Sequence, residues 1–219
     1  MEMKVIKVRK EIFEIENPEM KEISARLDNL GAGHSVDTIN WKEYLYRPEV
    51  RFNIAYSDRE ILLKYYVKEK YFKAEKTEAN QMVCEDSCVE FFVSPANDSL
   101  YYNFEFNAIG TCLLGTGTSR SDSSLAPAGV ISKIRKMTSL GNNPVKEKKK
   151  EISWTITLAI PKEVFFRHKI KDLRGKTFRA NFYKCGDKLS EPHYLTWNPV
   201  ETPVPDYHQP RYFGQLKFI

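Results

Sequence analysis

Apolar and polar residues alternate one for one in many short runs of this chain, and a period of two leaves few architectures open. Ile152, Trp154, Ile156, Leu158 and Ile160 alternate with Ser153, Thr155 and Thr157; Val50, Phe52, Ile54 and Tyr56 alternate with Arg51, Asn53 and Ala55; Ile61, Leu63, Tyr65 and Val67 alternate with Leu62, Lys64 and Tyr66. Successive side chains of a strand point to opposite faces, so each run reads as a strand with one buried face. Stacking two sheets buries such faces. The chain is therefore read as all-β: a two-sheet antiparallel β-sandwich with one short N-terminal helix, in a single domain over residues 1–219. That helix opens at Asn17-Pro18, an N-cap followed by proline, and carries Met20, Ile23, Leu27 and Leu30 at helical spacing until Gly31.

With 42% hydrophobic and 13% aromatic residues, 219 residues can bury one sizeable core. The net charge of +5 comes partly from one lysine cluster in the run Lys146 to Glu151, read as a solvated hairpin end. Neither nucleic acid nor membrane is expected as a partner. No window approaches the roughly 20 apolar residues of a membrane span, and the first residues lack a signal-peptide core. A cytoplasmic address is favoured, or a secreted or periplasmic one if a leader has been removed. Cys84, Cys88, Cys112 and Cys185 form no CxxC pair and are too sparse for a disulfide scaffold.

The stretch from Glu85 to Gly110 reads as an antiparallel hairpin around Pro95 to Ser99. Val89, Phe91 and Val93 on one strand and Tyr102, Phe104 and Phe106 on the other supply the apolar face. Parity then places Glu90 and Glu105 together on the opposite face, with Asn103 and Asn107 beside them. Two carboxylates that close repel, so this face calls for a cation or hydrogen-bond donors. The run from Phe178 to Tyr183 turns Phe178, Ala180 and Phe182 inward and Arg179, Asn181 and Tyr183 outward. In the same sheet, Arg179 would neutralise the two glutamates. The tail from Glu191 is dense in proline and aromatics and would hold Trp197 beside this polar face. Rigid rings next to carboxylates, amides and an arginine are what a sugar requires.

Elsewhere, residues 68–81 read as a charged connector, 110–124 as an exposed serine- and glycine-rich loop, and Val130 to Met137 as a strand.

The strings DSCVEFFVSP, YYNFEFNAIGT, RANFYKCGD, HYLTWNP and DYHQPRYFG, with WKEYLYRPEVRFNIAYSD and LLKYYVKE nearer the start, resemble the carbohydrate-binding family 9-like domains of Bacteroidetes. These are relatives of the xylanase-attached family 9 modules and of DOMON domains, and the likeness covers nearly the whole chain. It implies a non-catalytic module that binds a mono- or oligosaccharide and associates with polysaccharide-degrading enzymes. In the xylanase-attached modules a sugar lies between two tryptophans, and an arginine and an asparagine after the acidic motif bind hydroxyls. Here residues 80–84 contain no tryptophan, the arginine position reads Glu105, the asparagine position reads Asn107, and Trp197 is the counterpart of the second tryptophan. The family's structural calcium would draw on Glu85, Asp86 and Asp98.

The expected carbohydrate contacts are thus Glu90, Asn103, Glu105, Asn107, Arg179, Asn181, Tyr183 and Trp197. Competing readings make Glu90 and Glu105 a glycosidase pair, or the chain a protein-interaction module. Zinc held by Cys84 and Cys88 lacks further ligands in the sequence, His193 and His208 lack metal-site spacing, and no Met/His pair offers axial haem ligands.

Overall fold

The computed structural model describes residues 3–96 and 98–219. Its strands are β1 (Val5–Lys10), β2 (His34–Ser35), β3 (Thr38–Ile39), β4 (Glu49–Tyr56), β5 (Glu60–Ala74), β6 (Cys88–Ser94), β7 (Tyr101–Asn107), β8 (Cys112–Gly117), β9 (Ser124–Leu125), β10 (Arg135–Thr138), β11 (Val145–Pro161), β12 (Thr177–Cys185), β13 (Tyr194–Thr196) and β14 (Gly214–Phe218). Two helices accompany them, α1 (Met20–Asp28) and the single turn α2 (Ala128–Ile131). Among the described residues no helix is long and apolar enough to cross a membrane.

The all-β expectation holds, but the strands form one large curled sheet of mixed direction rather than two antiparallel ones. Its order is β10-β11-β5-β4-β1-β14-β12-β6-β7-β8-β9. The joint is β1, whose residues Val5 to Val8 pair parallel with β14 while Arg9 and Lys10 pair parallel with β4. One strand thereby closes two edges that would otherwise expose unpaired backbone groups. The curl brings the two halves face to face: Phe52 of β4 stacks on Phe182 of β12 with ring centres 3.8 Å apart, and Phe91 continues the stack at 5.0 Å from Phe182. Trp154, Ile156, Leu158, Phe104 and Leu216 share the same buried core. The expected inward faces of β6, β7, β11 and β12 all point into it.

Local departures have local causes. Helix α1 begins at Met20, with Glu19 rather than Asn17 in the cap position and no side-chain cap. Strand β5 runs on to Ala74 because β11 pairs with it along its whole length, as far as Val145 opposite Ala74. Residues 112–117 form the buried strand β8, not a loop. Glycine is required there by close approach, since a Cβ on Gly115 would lie 2.5 Å from Asn103 Oδ1. The expected strand at Val130 divides into α2 and β10.

A fully buried ionic network secures one end of the core. Lys184 Nζ ion-pairs Glu69 at 2.9 Å and meets His193 Nε2 at 2.9 Å. Trp154 Nε1–H donates to the other Glu69 oxygen at 2.6 Å. Burial, with the Lys184 charge next in weight, holds His193 far below its ordinary range, so the ring is neutral and accepts from the ammonium.

Candidate functional site

The register fixes a grid on the outer face of the sheet. Glu90 lies directly opposite Glu105 on β7 and opposite Tyr183 on β12; one row along, Phe92 lies opposite Asn103 and Asn181; in the other direction Cys88 lies opposite Asn107 and Cys185. Strand β8 extends the first two rows with Leu113 opposite Glu105 and Gly115 opposite Asn103.

The tail covers half of this grid. Tyr207 stacks flat on Tyr183, centres 4.0 Å apart, and His208 packs edge-on to Phe92 at 5.1 Å. Tyr183 is fully buried and donates its hydroxyl to the Tyr207 carbonyl at 3.2 Å. Asn181 Nδ2 donates to the Asn198 carbonyl at 2.9 Å, and its Oδ1 accepts from the Asn198 N–H at 2.8 Å. Arg179 donates to the Pro210 carbonyl instead of meeting the glutamates. All three, expected as ligand contacts, instead clamp the tail. Trp197 is 3% exposed, its ring wedged edge-on against Phe52 and Phe182, so it presents no platform. The reason lies beneath it, where a Cβ on Gly214 would come within 2.5 Å of the indole. Asn107 is buried too, donating to the Lys76 carbonyl and Asp86 and accepting from the Thr111 N–H.

The uncovered half is a cleft of about 540 Å³ with Glu90, Asn103 and Glu105 in its lining. Burial first, and the Glu105 charge second, push the Glu90 carboxyl well above its usual range; burial likewise raises Glu105. Asp187, also in the lining, is raised to about 6 by burial. Asn103 Nδ2 donates to Glu105 at 2.9 Å, while the buried Asn103 Oδ1 has no partner among the described residues. His208 is held neutral, down to about 4, by burial and the nearby Arg120 charge.

The cation near the acidic pair is Arg120, which the sequence reading missed. It stands on the exposed loop between β8 and β9, where Asp122 gathers the N–H groups of Thr118 and Ser119 at 2.9 and 2.6 Å. Arg120 reaches across the cleft mouth to Asp206 at 2.9 Å, and its charge lowers both Glu90 and Glu105 against the upward push of burial. An arginine inside a serine-rich loop was the available signal. A second groove of about 610 Å³ lies over β4, β5 and β11, where Arg51 covers the Tyr66 ring at 4.0 Å and Arg47 faces Asp37 at 3.8 Å.

The three carboxylates expected for calcium do not converge. Glu85 is held by Lys188 and Lys76 at 2.7 and 2.8 Å, which lowers it to about 2. Asp86 accepts the N–H groups of Glu75 and Lys76, both at 2.9 Å. Asp98 pairs with His168 at 3.1 Å, beside Tyr102 at the opposite end of the hairpin from Asp86.

The sequence profile of carbohydrate-binding family 9 matches residues 23–218. The chain belongs to that family. Its resemblance at the level of sequence strings is thereby confirmed, and the fold agrees. A protein from Bacteroides uniformis assigned as carbohydrate-binding has a crystal structure matching this family 9 chain at a TM-score of 0.95, with 42% identity over 100% of both chains. A family 9 module from Caldicellulosiruptor kristjanssonii in complex with glucose matches at 0.59, with 12% identity over 99% of this chain and 96% of that one. The cellotriose complex of a family 9 module from the same organism matches at 0.55, with 11% identity over 98% and 93%. At that identity the likeness is one of fold. No curated protein sequence matches significantly.

Proposed function

We propose that this family 9 protein binds a carbohydrate, without turning it over, in the cleft lined by Glu90, Asn103 and Glu105. The observation that carries the reading is a buried carboxylate pair, side by side, facing an open cleft that among the described residues has one rim arginine to balance it. A volume of about 540 Å³ falls within the roughly 300–1,000 Å³ of small-ligand sites. Sugar hydroxyls supply a donor to Asn103 Oδ1, which has no partner among the described residues, and further donors to Glu90 and Glu105, and Arg120 supplies a donor to sugar oxygens. Tyr194, half-buried in the lining, offers apolar ring surface for sugar C–H groups. That structurally related modules have been captured with glucose and cellotriose supports the same ligand class.

The glycosidase alternative is disfavoured by placement. Hydrolysis needs two carboxyl groups flanking the scissile bond, roughly 5–10 Å apart, whereas Glu90 and Glu105 are cross-strand neighbours that approach a ligand from the same side. Calorimetric titration with glucose, cello-oligosaccharides and a wider glycan panel tests the proposal. Arg120→Ala and Asn103→Ala should each weaken the best ligand about tenfold, the loss of one hydrogen bond to a charged or buried partner. Aryl glycosides should not be turned over. Absence of binding across the panel, or affinity indifferent to both substitutions, would overturn it.

A further inference from the structure

Cys88 and Cys185 are directly opposite each other on β6 and β12, at the end of the grid next to the acidic pair. Glu90 is two residues along from Cys88 and so shares its face. Its Oε1 lies 3.1 Å from Cys185 Sγ and 3.9 Å from Cys88 Sγ, and the three donor atoms all fall within 4.8 Å of one another. Among the described residues this is the one such group of three. All four cysteines carry free thiols.

From this geometry we infer that Cys88, Cys185 and Glu90 form a binding site for a soft divalent cation of the zinc class, with the fourth coordination position facing the cleft. Tetrahedral zinc with sulfur at about 2.3 Å and oxygen at about 2.0–2.2 Å spaces its ligands about 3.5–3.8 Å apart. The two sulfur–oxygen separations need adjustments of about half an ångström, and the two sulfurs, within 4.8 Å of each other, need about an ångström at most, within the reach of side-chain rotation on two hydrogen-bonded strands. Two thiolates and a carboxylate favour zinc and exclude calcium, which takes oxygen ligands alone. Candidates for the open position are at hand. Cys84 lines the same cleft from the turn before β6, its carbonyl bonded to the Asp187 N–H at 2.9 Å, and the buried Asp187 Oδ1 has no hydrogen-bond partner among the described residues. The sequence could not reveal this set, because Cys185 is far from the other two in the chain and meets them only through strand pairing. The inference stands independently of the sugar reading, although both use Glu90.

The test is metal binding to the whole, reduced protein. Equilibrium dialysis should retain one equivalent of zinc, and cobalt in its place should give a thiolate-to-metal charge-transfer band and tetrahedral ligand-field absorption. Uptake should release protons, since the buried thiols begin protonated. Cys88→Ala and Cys185→Ala should abolish the band and weaken zinc by about 100-fold or more, while Glu90→Gln, nearly isosteric, should weaken it about tenfold or more and change the cobalt spectrum. Cys112→Ala, on the inward face, should leave binding unchanged. The inference is overturned by substoichiometric zinc uptake, by a cobalt spectrum without thiolate character, by binding that survives loss of Cys88 and Cys185, or by a Cys88–Cys185 disulfide whose reduction yields no metal uptake.

Discussion

Replacing Glu105 by glutamine should make the protein more stable at pH 8 and leave it nearly unchanged at pH 5. Glu105 and Glu90 face each other across adjacent strands, where side chains lie about 5 Å apart, and two charges at that separation in an effective dielectric of about 20 repel by roughly 3 kcal/mol. Burial is the larger cause that raises both carboxyls, and the repulsion between them adds to it. The folded state therefore holds a proton that the unfolded chain gives up near its ordinary carboxyl range. For an acid whose folded value is raised, the stabilisation is complete below the unfolded value and is lost as pH rises through the folded one. Wild-type stability should accordingly decline between about pH 5 and pH 8. Glutamine removes one charge and keeps an oxygen to accept from Asn103 Nδ2. The expected gain at pH 8 is about 1–3 kcal/mol, which in a chain of this size raises Tm by roughly 2–12 °C. Thermal unfolding of both proteins across that pH range measures it. An equal shift at pH 5 and pH 8, or a larger loss at pH 8, would refute the coupled-pair argument.

The other predictions concern the core and the metal question. Lys184→Met should cost about 3–5 kcal/mol in urea unfolding, because it strands the buried Glu69, and adding Glu69→Gln should restore most of that loss. Trp197→Ala should cost about 3–5 kcal/mol, whereas Trp197→Phe should retain sugar affinity within about twofold by calorimetry, as befits a core residue. Millimolar calcium should leave Tm unchanged, since Glu85, Asp86 and Asp98 are each occupied by separate protein partners.

Strand faces were legible in the sequence because parity leaves two choices and burial selects one: Trp154 had to be core, and Glu90 had to meet Glu105. The site was legible only where the same rule sufficed. Asn181 and Tyr183 do face outward, as alternation requires, yet alternation says nothing about what lies above them. Their cover, Asn198 and Tyr207, comes from a segment with no periodicity. Strand β8 was hidden by its glycines, which resemble loop composition but answer to Asn103 on the next strand. Cys185 reaches the acidic pair through a strand pairing that leaves no local mark, and Arg120 through a loop fold whose one local sign is an arginine in a serine-rich run.

The boundary between covered and open halves follows from the cost of desolvation. Over Phe92, Tyr101 and Tyr183 the tail buries aromatic surface, and its backbone groups are met by Arg179, Asn181 and Tyr183, so covering that half is favourable. Extending the same cover over the buried Glu90 and Glu105 would close off the cleft they face with no cation in contact among the described residues, a penalty of several kcal/mol for any charge so enclosed. Proline restraint fixes where the tail runs, and the acidic pair sets where it must stop. The cleft is thus a consequence of the charge pattern on β6 and β7, and whatever fills it must bring hydrogen-bond donors or positive charge.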